Sequence, residues 1–254
     1  MSWLFMNLAM FYLNTYKMKI FFKFTSILWL FLMCFVGLIV AEESFIPKPP
    51  SLNATNYILI DSVSGRILAE SGADERIEPA SITKVMTGYV AADQIAKGFV
   101  SLEDEVFISE ECWRKGGSKM FIREGTRVLL SDLIKGMVIQ SGNDASCAIA
   151  EHVAVSEEGF VDLMQLYAKE LGMKNTQFKN VSGWPDPEHF SSARDLALLT
   201  KTLIDKFPDH YSLYKEKYFT YNEIKQRNRN SLPVSYTHLR AHETRGNLVC
   251  RLVL

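Results

Sequence analysis

A serine and a lysine that share one helical turn constrain this chain more than any other feature. They are Ser81 and Lys84, within the segment Pro79-Ala80-Ser81-Ile82-Thr83-Lys84. Pro79 suits the first turn of a helix, and the apolar run Val85–Val90 predicts that this helix is buried from its start. Residues i and i+3 lie on one helical face, so the sequence predicts that Lys84 reaches the Ser81 hydroxyl.

Such a helix start favours nucleophilic chemistry at the serine. The positive end of the helix dipole favours an oxyanion near Ser81 and disfavours a charged ammonium on Lys84. A neutral lysine can accept the proton that makes a serine nucleophilic. The alternative is an ordinary helix start with an exposed lysine, and the same four-residue pattern recurs at Ser212–Lys215. The pattern alone therefore does not establish a site.

A second short element gives the pair its context. Ser141-Gly142-Asn143 follows sixty residues after Ser81. Ser131 is predicted to cap a short helix, Asp132–Gln140, that ends at this turn, and a second helix is predicted from Asp144. Ser-x-x-Lys followed by Ser-x-Asn is the arrangement of serine acyl-transferases that recognise penicillin.

Four segments in this order carry a wider resemblance. From about Asn56 to about Leu232 the chain resembles the low-molecular-mass penicillin-binding proteins, specifically the D-alanyl-D-alanine carboxypeptidases. The resemblance implies an α+β transpeptidase fold of the penicillin-binding and β-lactamase type. That fold is an antiparallel sheet flanked by helices, with an all-helical subdomain carrying the Ser-Gly-Asn turn. The segments are Pro79–Lys84, Gln140–Ala145, Ser191–Asp195 and Tyr211–Lys217.

The resemblance also implies a role for each candidate site residue. Ser81 attacks the peptide bond between two terminal D-alanines of a peptidoglycan stem peptide, and Lys84 takes its proton. Ser141 relays a proton to the leaving D-alanine, Asn143 holds the substrate amide, and Arg229 organises the substrate-carboxylate side. β-Lactams acylate the same serine, and no cofactor or metal is implied.

The sequence departs from the family at one element and leaves alternatives open. The family's third element, Lys-Thr-Gly, is absent. The endopeptidase of the same family and an inactive cell-wall-binding fragment therefore remain alternatives. A class A β-lactamase typically carries Glu-x-x-Leu-Asn, which the sequence lacks.

Charge argues against nucleic acid as a partner. The chain has 254 residues with 28 basic and 29 acidic side chains. Residues 1–41 hold three of the lysines, and residues 233–254 hold three arginines and one glutamate. The remaining body thus has 22 basic and 28 acidic residues, and an acidic body does not bind a phosphate backbone.

The histidines and cysteines do not predict a metal site or a disulfide framework. The five histidines are scattered, and His152 and His189 are interpreted as surface or packing residues. Only Cys112 and Cys147 lie in the body, and Cys147 is predicted to be a small buried residue.

The two ends are interpreted as separate from the catalytic domain, which is assigned to residues 42–232 and is expected to be partial. Residues 1–41 predict a signal peptide cleaved near Ala41, with Met18 as a plausible true start and an uncleaved anchor helix as the rival. Residues 233–254 are interpreted as a foreign tail. We expect export to the periplasm or the outer face of the cytoplasmic membrane, with a C-terminal membrane anchor outside this sequence.

Local patterns predict the remaining elements. Strands are expected at Tyr57–Ile60 and Ile67–Ala69 around a turn at Ser64-Gly65. A helical stripe from Phe160 to Leu171 is predicted to be core and to end at Gly172. Ser192 and Asp195 predict a capping box for a helix that runs through Lys206.

Overall fold

Helices and short strands alternate along residues 54–230, the part of the chain that the structure, a computed structural model, describes. The strands are β1 (Tyr57–Ile60), β2 (Ile67–Ser71), β3 (Glu105–Phe107), β4 (Arg127–Leu129), β5 (Tyr218–Tyr221) and β6 (Ile224–Arg227). The helices are α1 (Thr83–Ala96), α2 (Glu110–Arg114), α3 (Leu130–Gln140), α4 (Asn143–Ala154), α5 (Glu157–Leu171), α6 (Ala193–Lys206) and α7 (Pro208–Ser212). This mixture confirms the predicted α+β class.

The strands pair locally, as three two-stranded antiparallel ladders within the described residues. β1 and β2 form the first ladder, with Tyr57 opposite Ser71, which confirms the predicted hairpin. The Ser64 N–H donates to the Asp61 side chain at 2.7 Å, and Gly65 has a φ of +73°. Such a φ suits glycine, so the Ser64-Gly65 turn returns the chain to β2. Helix α6 packs against β1.

Helix α4 lies at the centre of the core, against α1, α2, α3 and α5. Every side chain from Ala145 to Ala150 is fully buried. On α5 the predicted stripe is also core, since Phe160 and Met164 have no exposed surface. Burial of Phe160 stabilises the fold by about 2 kcal/mol relative to an exposed side chain. The Ser141 turn thus connects two helices, α3 and α4, that are fixed by the core.

Helix ends match the predictions in two of three cases. Ser156 caps α5 by accepting the Gly159 N–H at 3.1 Å, and α5 ends at Gly172 in a left-handed conformation. The Ser192 hydroxyl accepts the Asp195 N–H at 3.2 Å, as predicted for α6. The Ser131 cap is wrong, because α3 already begins at Leu130.

The Asp195 carboxylate has a different role from the one that a capping box assigns. It accepts the Asn175 N–H and the Thr176 hydroxyl, each at 2.7 Å. The carboxylate is buried and therefore takes donors from the segment that packs on the start of α6. Asp195 fastens that segment to the helix.

Cys112 and Cys147 form a disulfide between α2 and α4, which corrects the expectation of two unpaired cysteines. Their Cα atoms are 5.2 Å apart, although 35 residues separate them in the sequence. The packing of α2 on α4 brings the two cysteines together, and no local sequence pattern predicts that packing. Among the described residues, both groups of side chains that could share a metal ion use a sulfur of this disulfide. A disulfide sulfur is not the thiolate that binds metal.

Within residues 54–230, every helix is too short or too polar to cross a bilayer. The predicted leader, the residues around Met18 and the predicted foreign tail at 233–254 lie outside the described residues. The interpretation of those two ends stays a prediction.

Candidate active site

Ser81 lies in a single 3-10 turn, Ala80–Ile82, that leads directly into α1. Its side chain is exposed. Ala80 has a φ of +46°, which is uncommon for a residue other than glycine. Uncommon backbone angles persist where the surrounding structure fixes them, and they concentrate at functional sites.

Lys84 contacts Ser81 as the i and i+3 spacing predicts. Its Nζ atom lies 3.3 Å from the Ser81 Oγ atom and donates to the Ser182 carbonyl oxygen at 2.7 Å. Lys84 is only 5% exposed, so the alternative of an exposed lysine at an ordinary helix start is wrong. A lysine is rarely buried to this extent without a reason in its partners.

The surroundings of Lys84 favour its neutral form. Burial is the largest cause that lowers the pKa of Lys84 to about 7, because a charged ammonium loses hydration there. The positive charge of Arg229 lowers the pKa in the same direction, and the negative charge of Asp144 opposes it. A neutral amine in contact with a serine hydroxyl has the geometry to accept the hydroxyl proton.

Ser141 is the residue at which α3 ends, in a left-handed conformation with a φ of +63°. Its hydroxyl oxygen is buried and has no hydrogen-bond partner within residues 54–230. A buried hydroxyl without a partner costs about 1–3 kcal/mol. The Ser141 hydroxyl therefore has a donor and an acceptor open to a water, a ligand or a reacting group.

Asn143 begins α4 and is fastened to a loop that we call the site loop, residues 116–122. Its backbone N–H donates to the Ser118 carbonyl at 2.7 Å, and its Nδ2 donates to the Gly116 carbonyl at 2.8 Å. The side chain is thus oriented by the backbone of the site loop. Orientation by a rigid partner is what a substrate-binding amide requires.

Asp144 is a buried residue that the sequence prediction did not select. Its carboxylate accepts the Met120, Phe121 and Ile122 N–H groups at 2.8, 2.9 and 3.3 Å. Three backbone donors satisfy a buried carboxylate. Asp144 therefore holds the site loop beside the Ser141 turn, and its position next to Asn143 in the sequence was the signal available.

Arg229 is exposed and follows directly on β6 and Asn228. Its backbone N–H donates to the Ile139 carbonyl at 3.0 Å, near the end of α3. This bond places Arg229 at the edge of the Ser141 turn, close enough for its charge to act on Lys84. The structure therefore places Arg229 beside the end of α3 and within electrostatic reach of Lys84.

Ser182 and Gly183 complete the surroundings of Ser81, and neither was predicted. Gly183 has a φ of +79°, and a Cβ atom on it would lie 1.7 Å from the Ala80 carbonyl oxygen. Only glycine allows this approach of two backbones. The segment that supplies the Ser182 carbonyl is thus packed directly against the turn of Ser81.

His189 is a packing residue, as interpreted from the sequence. The Lys179 N–H donates to its Nδ1 at 3.1 Å, so the ring proton lies on Nε2, which is 2.8 Å from the Thr83 hydroxyl oxygen. Burial lowers the pKa of His189, which keeps the ring neutral. His189 links the loop after α5 to the helix that carries Lys84.

Solved structures with a similar fold include penicillin-binding proteins. Penicillin-binding protein 5 from Haemophilus influenzae superposes with a TM-score of 0.73 at 41% identity, over 75% of this chain and 56% of that one. Penicillin-binding protein 6B from Escherichia coli gives the same TM-score at 39% identity, over 76% of this chain and 63% of that one. These likenesses confirm the predicted transpeptidase fold.

Sequence relatives agree with the structures. The chain is 45% identical over 208 residues to D-alanyl-D-alanine carboxypeptidase DacC of Escherichia coli, covering 80% of this chain and 52% of the relative. It therefore spans about half the length of the curated relatives it matches. Residues 43–242 match the family described as D-alanyl-D-alanine carboxypeptidase. The chain belongs to the D-alanyl-D-alanine carboxypeptidase family.

Proposed function

We propose that the protein that carries this domain is a serine-type D-alanyl-D-alanine carboxypeptidase. It removes the terminal D-alanine from peptidoglycan stem pentapeptides through an acyl-enzyme on Ser81. The observation that carries the proposal is the contact of 3.3 Å between Lys84 Nζ and Ser81 Oγ, made by a lysine whose pKa is lowered to about 7.

Acylation begins with proton transfer from the Ser81 hydroxyl to neutral Lys84. The Ser81 oxygen then bonds to the carbonyl carbon of the penultimate D-alanine, and the carbonyl oxygen becomes an oxyanion. The Ser81 N–H, at the positive end of α1, is one donor to that oxyanion. Collapse of this intermediate breaks the C–N bond, and the leaving amine takes a proton through Ser141.

The remaining site residues bind and orient the peptide in this proposal. Asn143 bonds the amide of the stem peptide, since the site loop fixes its side chain. Arg229 attracts the terminal carboxylate, and its location beside the Ser141 turn supports that role. Release of the acyl group requires water, whose proton goes to Lys84 while its oxygen bonds to the acyl carbon. The Ser81–acyl bond then breaks and Ser81 regains a proton.

β-Lactams are the proposed inhibitors. Ser81 attacks the carbonyl carbon of the four-membered ring, the ring C–N bond breaks, and the protein keeps a covalent penicilloyl group. The relatives named as penicillin-binding proteins support this proposal. We further propose that the protein is exported and acts on the cell wall, with a catalytic domain whose part in this chain is residues 42–232. The lysines and apolar stretch of residues 1–41 support export.

Labelling with a fluorescent penicillin tests the nucleophile in the full-length protein. Ser81→Ala is expected to abolish covalent labelling, because the bond to the label is formed by that oxygen. Ser212→Ala is the matched control, since Ser212 belongs to the second Ser-x-x-Lys pattern and donates to the Asp209 carbonyl instead. Labelling that survives Ser81→Ala would overturn the assignment.

Product analysis separates the two peptidases of the family. D-Alanine release from a stem pentapeptide is expected for the carboxypeptidase, and cleavage of a cross-linked dimer for the endopeptidase. An endopeptidase of Haemophilus influenzae is 29% identical over 154 residues, lower than the carboxypeptidase relatives. Faster cleavage of the dimer than of the pentapeptide would contradict the proposal, and absence of both activities would favour a wall-binding role.

A further inference from the structure

Lys84 is held by a backbone carbonyl, so the geometry of the site depends on what fixes that carbonyl. The carbonyl belongs to Ser182 and accepts from Lys84 Nζ at 2.7 Å. It lies in a short segment, residues 180–184, which we call the Asn180 turn. The segment has no helix or strand to position it.

One side chain organises the turn. The Asn180 Oδ1 atom accepts the N–H groups of Gly183 at 2.7 Å, Trp184 at 2.9 Å and Ser182 at 3.2 Å. The Asn180 Nδ2 atom donates to the Trp184 carbonyl at 2.9 Å. Four hydrogen bonds from one amide bind three successive residues, which is the local bonding that asparagine provides in turns.

Two further contacts dock the turn on the helices of the site. The buried Thr87 hydroxyl of α1 donates to the Val181 carbonyl at 2.7 Å. The Glu157 carboxylate at the start of α5 accepts the Val181 N–H at 3.2 Å. These contacts fix the residue before Ser182, whereas Asn180 fixes Ser182 and the two residues after it.

We propose that Asn180 is a positioning residue for Lys84, acting through the Asn180 turn. Its amide holds the Ser182 carbonyl against the lysine and so sets the distance between the lysine amine and the Ser81 hydroxyl during acylation. The inference rests on the proposed function, because acylation of Ser81 is its readout. Small misplacements of a reacting group slow catalysis strongly, so a loosened turn lowers the rate of acylation.

Loosening the turn has a second consequence, for the proton on Lys84. Water that enters beside the lysine solvates its charged form, so the pKa of Lys84 rises from about 7 towards its ordinary value. The charged groups whose electrostatic influence reaches Lys84 are Arg229 and Asp144. The neutral ring of His189 contacts the side chain of Thr83, which precedes Lys84 on α1. These groups are unaltered by a change at Asn180, which separates the effect of hydration from that of charge.

The experiment measures the rate of acylation by a fluorescent penicillin between about pH 5 and about pH 9 in the full-length protein. Asn180→Ala is expected to lower the plateau rate by about tenfold and to move the acidic limb upward by at least about half a pH unit. The final extent of labelling gives the fraction of folded sites, so partial unfolding does not alter the measured rate constant. Wild type that fails to label contradicts the proposed function, not this inference.

Two variants complete the test. Asn56→Ala is the matched control, since this side chain bonds the Gly72 carbonyl and Glu75 in another part of the fold. It is expected to label with a wild-type plateau and limb. Asn180→Asp keeps the acceptor for three N–H groups but loses the donor to the Trp184 carbonyl, so it is expected to label faster than Asn180→Ala but more slowly than wild type. An unchanged profile in Asn180→Ala overturns the inference.

Discussion

Ser81 is exposed and Lys84 is almost fully buried, although their side chains are in contact. This difference in exposure suits the two side chains to different roles. An exposed hydroxyl is accessible to a bulky peptide, whereas burial of the amine removes the hydration that favours its charged form. The basicity of Lys84 therefore depends on the exclusion of water from its side chain.

Replacement of Lys84 by arginine tests its role as a base. Lys84→Arg keeps a positive charge at the position but cannot be neutralised near neutral pH. We expect acylation by penicillin to slow by roughly 100-fold or more, the usual contribution of a positioned general base. Rapid-quench labelling measures the rate, and a near-normal value would show that Lys84 is structural.

The pH dependence of acylation follows from the lowered pKa of Lys84. The neutral form predominates above a pKa of about 7 and is lost as the pH falls through that value. Acylation is therefore expected to be about fivefold slower at about pH 6 than at about pH 7, and to approach a plateau at higher pH. A rate that stays flat down to about pH 5 would contradict proton transfer to Lys84.

The candidate reactive residues could be selected from the sequence, but the groups that position them could not. Spacing identified Ser81 and Lys84 because i and i+3 contacts are local, and an ordered second motif identified Ser141. The Ser182 carbonyl lies 98 residues from Lys84, and every residue has a carbonyl. A contact of that kind depends on the tertiary fold and leaves no pattern in the sequence.

At the scale of elements, a disulfide closes a loop around half of the site. The bond between Cys112 of α2 and Cys147 of α4 encloses both the site loop and the turn of Ser141. Asp144 fastens these two segments to each other inside the closed loop. The elements that bear Asn143 are therefore held by covalent bonds and by hydrogen bonds.

Removal of the disulfide is expected to destabilise the fold. Closing a loop of this length lowers the entropy of the unfolded chain, which corresponds to about 4 kcal/mol of stability. Cys112→Ser combined with Cys147→Ser should lose about that amount in urea unfolding without reductant. Reductant should lower the stability of wild type but leave the double variant unchanged. Equal stability of wild type with and without reductant would show that the cysteines are unpaired in solution.

Elements with a clear local pattern were the predictable ones. The stripe of α5 follows from its apolar period of 3.6, and the hairpin of β1 and β2 follows from two short apolar runs around the Ser64-Gly65 turn. The strands β3 and β4 have three residues each and were not predicted, since so short a segment shows no period. The Ser131 cap was wrong because the helix begins at Leu130, which is buried in the core, two residues before the predicted start at Asp132.

At the scale of the whole molecule, the first 41 residues predict export. Three lysines precede an apolar stretch that ends near Ala41. N-terminal sequencing of the protein recovered from the periplasm is expected to find a mature chain that begins close to residue 42. A recovered chain that begins at Met1 or Met18 would favour the uncleaved anchor.

The partner of Lys84 is a main-chain oxygen, and this determines what mutational scanning can detect. Replacement of Ser182 by alanine leaves its carbonyl in place, so a scan of side chains would score the position as dispensable. Substitutions at neighbours that determine the backbone path are expected to have the larger effect. Gly183 is one such neighbour, because a Cβ atom on it would collide with the Ala80 carbonyl. A substitution at position 182 that preserves the backbone is therefore expected to leave the contact with Lys84 in place.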